Sequence, residues 1–206
     1  MSDVQTTLLD CEYFPCIGWY RQFVRSENIL IEKQEYFQRA TLRNRCYVAG
    51  PNGRLALSVP LEGGRNQRSF MHDLRISNQV KWQAQHWKTI QACYGRSPYF
   101  TYFEDSLVLI FTKRYEFLVD LNLDSIELMN RLLSLKKEFT VTESYQKEYP
   151  DPVNDFRSTF TTDTLTPDDI HYLQPFEDKN GFRSGLSMLD MLLCAGNQSL
   201  ILLHGA

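Results

Sequence analysis

The sequence predicts an α/β fold in one domain spanning residues 1–206: a central, mostly parallel sheet under helical cover, with a β-hairpin around residues 46–61. Three observations carry that prediction. Short aliphatic segments alternate with helical ones over the N-terminal third of the chain. Asn52-Gly53 lies between two apolar runs, the strongest short-range signal of a tight hairpin turn. Residues 78–95 repeat apolar side chains at helical spacing, with Lys81, Gln85 and Lys88 on the opposite face.

The elements follow in order. Thr7–Cys11 reads as a short strand, and Tyr13-Phe14-Pro15 ends it because a residue before proline avoids the helical region. Trp19–Val24 is a brief helix and Asn28–Ile31 a second strand. Glu35–Arg45 fits either a helix or an extended loop, and its polarity points to surface or site rather than core. Cys46–Val48 and Leu55–Leu61 are the hairpin arms. In the helix over 78–95, Ser77 or Asn78 is the expected N-cap and Gly95 the expected left-handed residue past its end. One stripe comprises Val80, Ala84, Trp87 and Tyr94, flanked by Trp82, His86, Ile90 and Cys93. Ser97–Thr112 is open between strand and helix. Tyr115–Leu135 is helical from the spacing of Leu118, Leu121, Leu128 and Leu132, and Phe139–Ser144 is a strand. The stretch 148–167 is rich in Pro, Asp and Thr, which marks a loop or lid within the block 148–174. Leu186–Ala195 is a short apolar helix, capped by Ser184 or Ser187 and ended by Gly196. No internal repeat is visible.

Composition bounds the function. The chain has 206 residues, 43% of them hydrophobic and 23% charged, which suits a globular domain with a substantial core. No basic leader opens the sequence and no apolar run reaches membrane-helix length, so a cytoplasmic protein without a membrane span is expected. The five cysteines are expected to be reduced thiols, and none lies at CxxC or zinc-finger spacing, so no metal site is expected. The net charge of −3 conceals an imbalance: residues 21–75 hold ten Lys/Arg against five acids. Nine of those ten bases are Arg, whose planar fork suits phosphate and carboxylate oxygens. A solvated, Arg-rich surface fits the same pattern. The overall acidity argues against a nucleic-acid partner.

Arg43-Asn44-Arg45 places two guanidinium groups and an amide within three positions, and such a donor set is costly to order unless something anionic or carbonyl-rich receives it. His86, on the half-buried side of its helix, is a candidate general base, or equally a core histidine bonded to a carbonyl. Cys46 with His86 is a conceivable nucleophile pair, against the plainer alternative of a small buried thiol. His72 with Asp73 is a weaker acid–base pair, since adjacent residues point apart. Tyr13, Tyr20 and Tyr94, with Tyr99 and Phe100, are candidates to stack on a sugar or base, or to fill the core. No GxxxxGK[ST], GxGxxG or GxSxG motif occurs, which removes several large enzyme classes. Nothing specifies a cofactor.

Taken in order, Tyr13-Phe14-Pro15, Tyr20, Glu32, Arg43-Asn44-Arg45, Asn52-Gly53, Leu57-Ser58-Val59-Pro60, Trp82 with His86, Tyr94, Pro98-Tyr99-Phe100, Leu121-Asn122 and Leu186-Ser187-Met188-Leu189-Asp190 form an ordered set. That set resembles the WbqC-like family of bacterial proteins associated with surface-polysaccharide (O-antigen) biosynthesis, over residues 8 to 203. The resemblance implies a Rossmann-like opening strand–loop–helix and an enzyme of surface-glycan assembly, a transferase acting on a nucleotide-linked or other anionic sugar. It also implies association with other biosynthetic enzymes. On that reading Arg43 and Arg45 hold phosphate or carboxylate oxygens, Asn44 orients a hydroxyl or carbonyl, His86 is the base, and Tyr13 or Tyr94 stacks on the ligand. Two alternatives stand beside it: a non-catalytic binding or scaffold protein of a biosynthetic assembly, and a Cys–His acyl transferase. The sequence departs from the family before its final helix, where longer members carry a Tyr-Leu-Ser-Gly-like run and residues 148–174 here are short and different.

Overall fold

A computed structural model of the chain describes residues 5–39, 41–63, 69–161 and 170–205. Its centre is a four-stranded parallel sheet in the order β5-β2-β1-β6, built from β1 (Thr6–Asp10), β2 (Asn28–Glu32), β5 (Thr140–Val141) and β6 (Val153–Asp155). β1 and β2 pair in register from Thr6 with Asn28 to Asp10 with Glu32. The helix α1 (Ile17–Arg25) makes the crossover a parallel pair requires. Its Ile17, Trp19, Tyr20, Phe23 and Val24 are buried. Lys137 caps its C-terminal end, donating to the carbonyls of Phe23 at 3.2 Å and Val24 at 2.8 Å, and to that of Ser26. The α/β class with a parallel sheet is therefore as expected.

The hairpin forms a separate antiparallel sheet of β3 (Arg45–Gly50) and β4 (Gly53–Ser58), with Gly50 opposite Gly53. Gly53 has φ 108°, a conformation open to glycine at little cost. The second arm stops at Ser58 rather than Leu61, because Pro60 has no N–H to continue a ladder. Three helices then pack in succession: α2 (Trp82–Tyr94), α3 (Phe100–Thr112) and α4 (Leu118–Leu132).

Several boundaries differ from the sequence reading. α2 begins at Trp82, with neither Ser77 nor Asn78 as its cap; Asn78 instead donates to the Tyr115 carbonyl at 2.9 Å. Its buried stripe is Trp82, His86, Ile90 and Tyr94, a strict four-residue spacing, while Val80 and Ala84 are exposed. Gly95 is right-handed, with φ −58°, and not the left-handed residue expected. A Cβ there would lie 2.6 Å from the Gln91 carbonyl, so close approach is the reason for glycine. The stretch left open between strand and helix is helix from Phe100 to Thr112, with Phe100, Phe103, Leu107, Ile110 and Phe111 on the inner face. The strand expected over 139–144 shrinks to two residues. Within 148–167, β6 is a structural strand beside β1, so this stretch is partly sheet; residues 162–169 of the expected lid lie outside the described residues.

The C-terminal part adds α5 (Glu177–Asn180), α6 (Met188–Ala195) and α7 (Gln198–His204). Ser187 caps α6, its hydroxyl accepting from Leu189 N at 3.2 Å. Gly196 closes it at φ 55°. Every residue of α6 but Cys194 is buried, and the buried apolar residues of both halves form one cluster.

Candidate functional site

β1 ends on Asp10, β2 on Glu32 and β6 on Asp155, so three parallel strands deliver carboxylates to the same edge of the sheet. The chain moves outward from β1 to β2 and β5, then returns to the other side of β1 as β6. The carboxyl ends of strands at such a reversal are where open α/β sheets bind ligands. Asp10 stands at that point.

Around it the structure buries a charged cluster. Asp10, Glu12, Glu32 and Glu35 are all under 5% exposed, and Arg43 is at 0%. The Arg43 fork is turned inward: Nε donates to Glu35 Oε1 at 2.7 Å and Nη2 to Asp10 Oδ1 at 2.8 Å. The second Asp10 oxygen accepts from Ser158 N at 2.7 Å, just past β6. Asp10 and Glu35 thus meet on the same guanidinium nitrogen, Arg43 Nη2. Glu32 is held separately, by Gln34 N at 2.6 Å, the Thr142 hydroxyl at 2.7 Å and Arg157 at 3.4 Å. Arg157 lies between the rings of Tyr145 and Tyr149 and pairs with Asp155.

One guanidinium cannot neutralise three neighbouring carboxylates removed from water, so protons are retained. Burial pushes Glu12 well above the usual carboxylate range, with the Asp10 charge adding to the effect. Burial likewise raises Glu35 to about 7 and raises Asp10, against the pull of Arg43. Both Glu12 oxygens and the Nη1 of Arg43 are buried without a hydrogen-bond partner among the described residues. A buried carboxyl that keeps its proton, unpartnered beside two further carboxyls of raised pKa, is equipped to give and take protons.

Glu12 belongs to the loop from β1 to α1, and that loop is fixed from several sides. Asn122 on α4 donates to the carbonyls of Cys11 at 2.9 Å and Arg43 at 2.8 Å. Phe14 N donates to Ser125 Oγ at 3.2 Å, and Ser187 Oγ donates to the Phe14 carbonyl at 2.8 Å. Phe14 itself sits at φ 42°, strained for a side chain with a Cβ and held there by those contacts.

The residues singled out in the sequence divide into separate places. Tyr13 and His86 come together, hydroxyl to Nδ1 at 3.2 Å, both buried. His86 also hydrogen-bonds the Ser58 backbone, and burial lowers its pKa to about 4, so the ring is neutral with both nitrogens engaged inside the protein. Arg43 joins the carboxylates and not His86. Asn44 donates to the Val59 carbonyl at 3.0 Å, holding the hairpin's exit. Arg45 is half-buried beside Cys46 in a crevice too tight for water, and its Nε has no partner among the described residues. The buried Cys46 thiol is raised by desolvation and hydrogen-bonds Ser187, not His86. Tyr20 donates to the Ile126 carbonyl at 3.4 Å, within the core. Tyr94 donates to Asp190 and accepts from Ala49 N at 2.8 Å, and Tyr172 donates to the other Asp190 oxygen.

Sequence reasoning missed Asp10, Glu12 and Glu35. The signal was present: two acids at the end of an aliphatic strand, where an exposed turn would have been the ordinary expectation, and a third facing them across the next loop. Among the described residues no group of three His, Cys, Asp or Glu is arranged to hold a metal ion, and no helix is long and apolar enough to cross a membrane.

The sequence model of the WbqC-like protein family matches residues 11–155, from the β1–α1 loop to the end of β6. The match stops short of the Leu186–Asp190 landmark. Comparison with curated proteins and with solved structures gives no match.

Proposed function

The chain belongs to the WbqC-like protein family, and from that premise we propose that it is an enzyme of bacterial surface-glycan biosynthesis, transferring a group to or from a nucleotide-linked or other anionic sugar. The observation that carries the proposal is the proton-holding cluster of Asp10, Glu12, Glu35 and Arg43 at the strand ends. In this reading an acceptor hydroxyl attacks the transferred group, its proton passes to the ionised member of the Asp10–Glu35 pair, and the leaving group departs with the electrons of the broken bond. Glu12 is the reserve acid that returns a proton to the leaving oxygen. The unpartnered donor Arg43 Nη1 supplies a hydrogen bond to an anionic oxygen. Tyr13 and His86 position the loop that carries Glu12, so His86 serves as a positioning group here and not as the base.

Titration calorimetry and product analysis against a panel of nucleotide sugars test this. The parent should bind at least one and turn it over with a suitable acceptor. Glu12→Gln should keep that binding while turnover falls by about 100-fold or more, the scale of a lost acid–base group. A folded parent that binds none of the panel, or a Glu12→Gln variant with full turnover, overturns the reading. The saturation of most of the Arg43 fork by protein carboxylates favours a second reading, a non-catalytic binding protein of a biosynthetic assembly. It predicts ligand binding by the parent without turnover under any acceptor.

A further inference from the structure

A cavity lies away from the strand-end cluster and shares no residue with it. It occupies about 570 Å3 between the end of α2, the turn into α3, the segment before α5, and the end of α6. That volume is within the range of small-molecule sites, roughly 300–1,000 Å3. Its walls are mostly apolar: Cys93, Cys194 and Phe176 line it, and Leu173 stands at its lip with 84% exposure. An exposed leucine on the rim of an apolar hollow has unsatisfied surface that a bound hydrocarbon would cover.

Two polar groups face the same space. Arg96 carries a guanidinium with no ion pair or hydrogen bond among the described residues, and Gln91 adds an amide. No carboxylate lines the cavity among the described residues. The wall behind is rigid, since the Gln174 amide is committed to Tyr172 at 3.1 Å, the Arg183 carbonyl at 2.8 Å and the Arg183 N–H at 2.8 Å. Asp190 anchors Tyr172 and Tyr94 beneath it. A preformed hollow loses little entropy on binding.

We propose that this cavity is a binding site for a small amphipathic monoanion, its acidic head on Arg96 and its hydrocarbon body against Cys93, Cys194, Phe176 and Leu173. The shape and the single uncompensated cation together select that class: a neutral apolar ligand leaves Arg96 unused, and a polyanion has only one cation to meet. The inference stands apart from the glycan reading and survives its failure.

The probes are 1-anilinonaphthalene-8-sulfonate, whose fluorescence reports apolar burial, and sodium decanoate as competitor. The full chain should bind the dye saturably at one site, and decanoate should displace it. Arg96→Gln should weaken dye binding by about tenfold or more, as the loss of one charge-assisted hydrogen bond implies. Ala92→Trp, on the exposed face of α2 at the cavity, should block it while circular dichroism stays unchanged. Decanoate should also slow maleimide labelling of Cys93 and Cys194, the half-buried thiols, while the fully buried Cys11, Cys16 and Cys46 stay inert. Dye binding indifferent to both substitutions overturns the proposal, as does sensitivity to Ala92→Trp with none to Arg96→Gln. A concentration-dependent dimer that Ala92→Trp abolishes and decanoate leaves intact assigns the cavity to a second copy of the chain and overturns it as well.

Discussion

Glu12 makes the sharpest statement at the scale of a residue. It is a carboxyl with no exposure and no partner, beside Asp10 and Glu35, and the folded state raises its pKa well above 4.5. A raised carboxyl binds its proton more tightly in the native than in the unfolded chain, so its linkage lowers stability as pH rises from 4.5 toward the native value. Glu12→Gln removes that dependence. In urea melts the variant should gain on the parent by up to about 1.4 kcal/mol per pH unit above pH 4.5. Parallel pH profiles for the two proteins would show that Glu12 is solvated after all. His86 runs the other way: depressed to about 4, it favours the native state above pH 6.5 and loses that contribution as acid charges the ring. The two residues therefore narrow the stable range from opposite sides.

Elements with local punctuation could be read from the chain. The hairpin followed from Asn52-Gly53, and α6 followed from Ser187 before it and Gly196 after it, both in the capping roles expected of them. Gly196→Ala should be severe, because φ is positive there and a Cβ would strike the Tyr99 ring. A loss of more than about 2 kcal/mol in chemical denaturation is expected, and a variant within 0.5 kcal/mol of the parent would mean that Tyr99 moves freely. Elements whose identity depends on partners were harder. α3 is rich in Phe, Tyr, Val, Ile and Thr, which suit strands as well as helices, and only packing against α2 and α4 decides the matter. β5 and β6 are two and three residues long and exist because β2 and β1 offer them edges. The site was obscured for the same reason. Arg43 was recognisable as a donor in need of anions, but the anions proved to be the protein's own, drawn from residues 8 and 33 positions away. Periodicity carries no information on such pairings.

For the molecule as a whole, Arg43 is a junction. Its side chain ties β1 to the segment after β2, and its carbonyl accepts from α4 through Asn122. Arg43→Met would leave Asp10 and Glu35 buried without their cation. Breaking a buried pair costs about 3–5 kcal/mol, a large share of the roughly 5–15 kcal/mol that holds a domain together. The deficit should be smaller at pH 5 than at pH 8, since protonation relieves carboxylates that have lost their counter-charge. Denaturation midpoints at the two pH values decide it; an equal deficit at both would place the damage in lost packing.

The last helices have a bearing on how the chain comes to be folded. Residues 186–204 meet the first turn of the structure directly: Ile17 N donates to the Leu186 carbonyl at 3.0 Å, Met188 N to that of Pro15 at 2.9 Å, and Arg25 to that of His204 at 3.1 Å. Those residues are synthesised after the elements that they contact. Until then the bend at Phe14 lacks its Ser187 anchor, α1 has an uncovered flank, and the sheet edge with Glu12 is unset. The loop at Phe14 is therefore fixed only once a segment more than 170 residues further along the chain has folded against it.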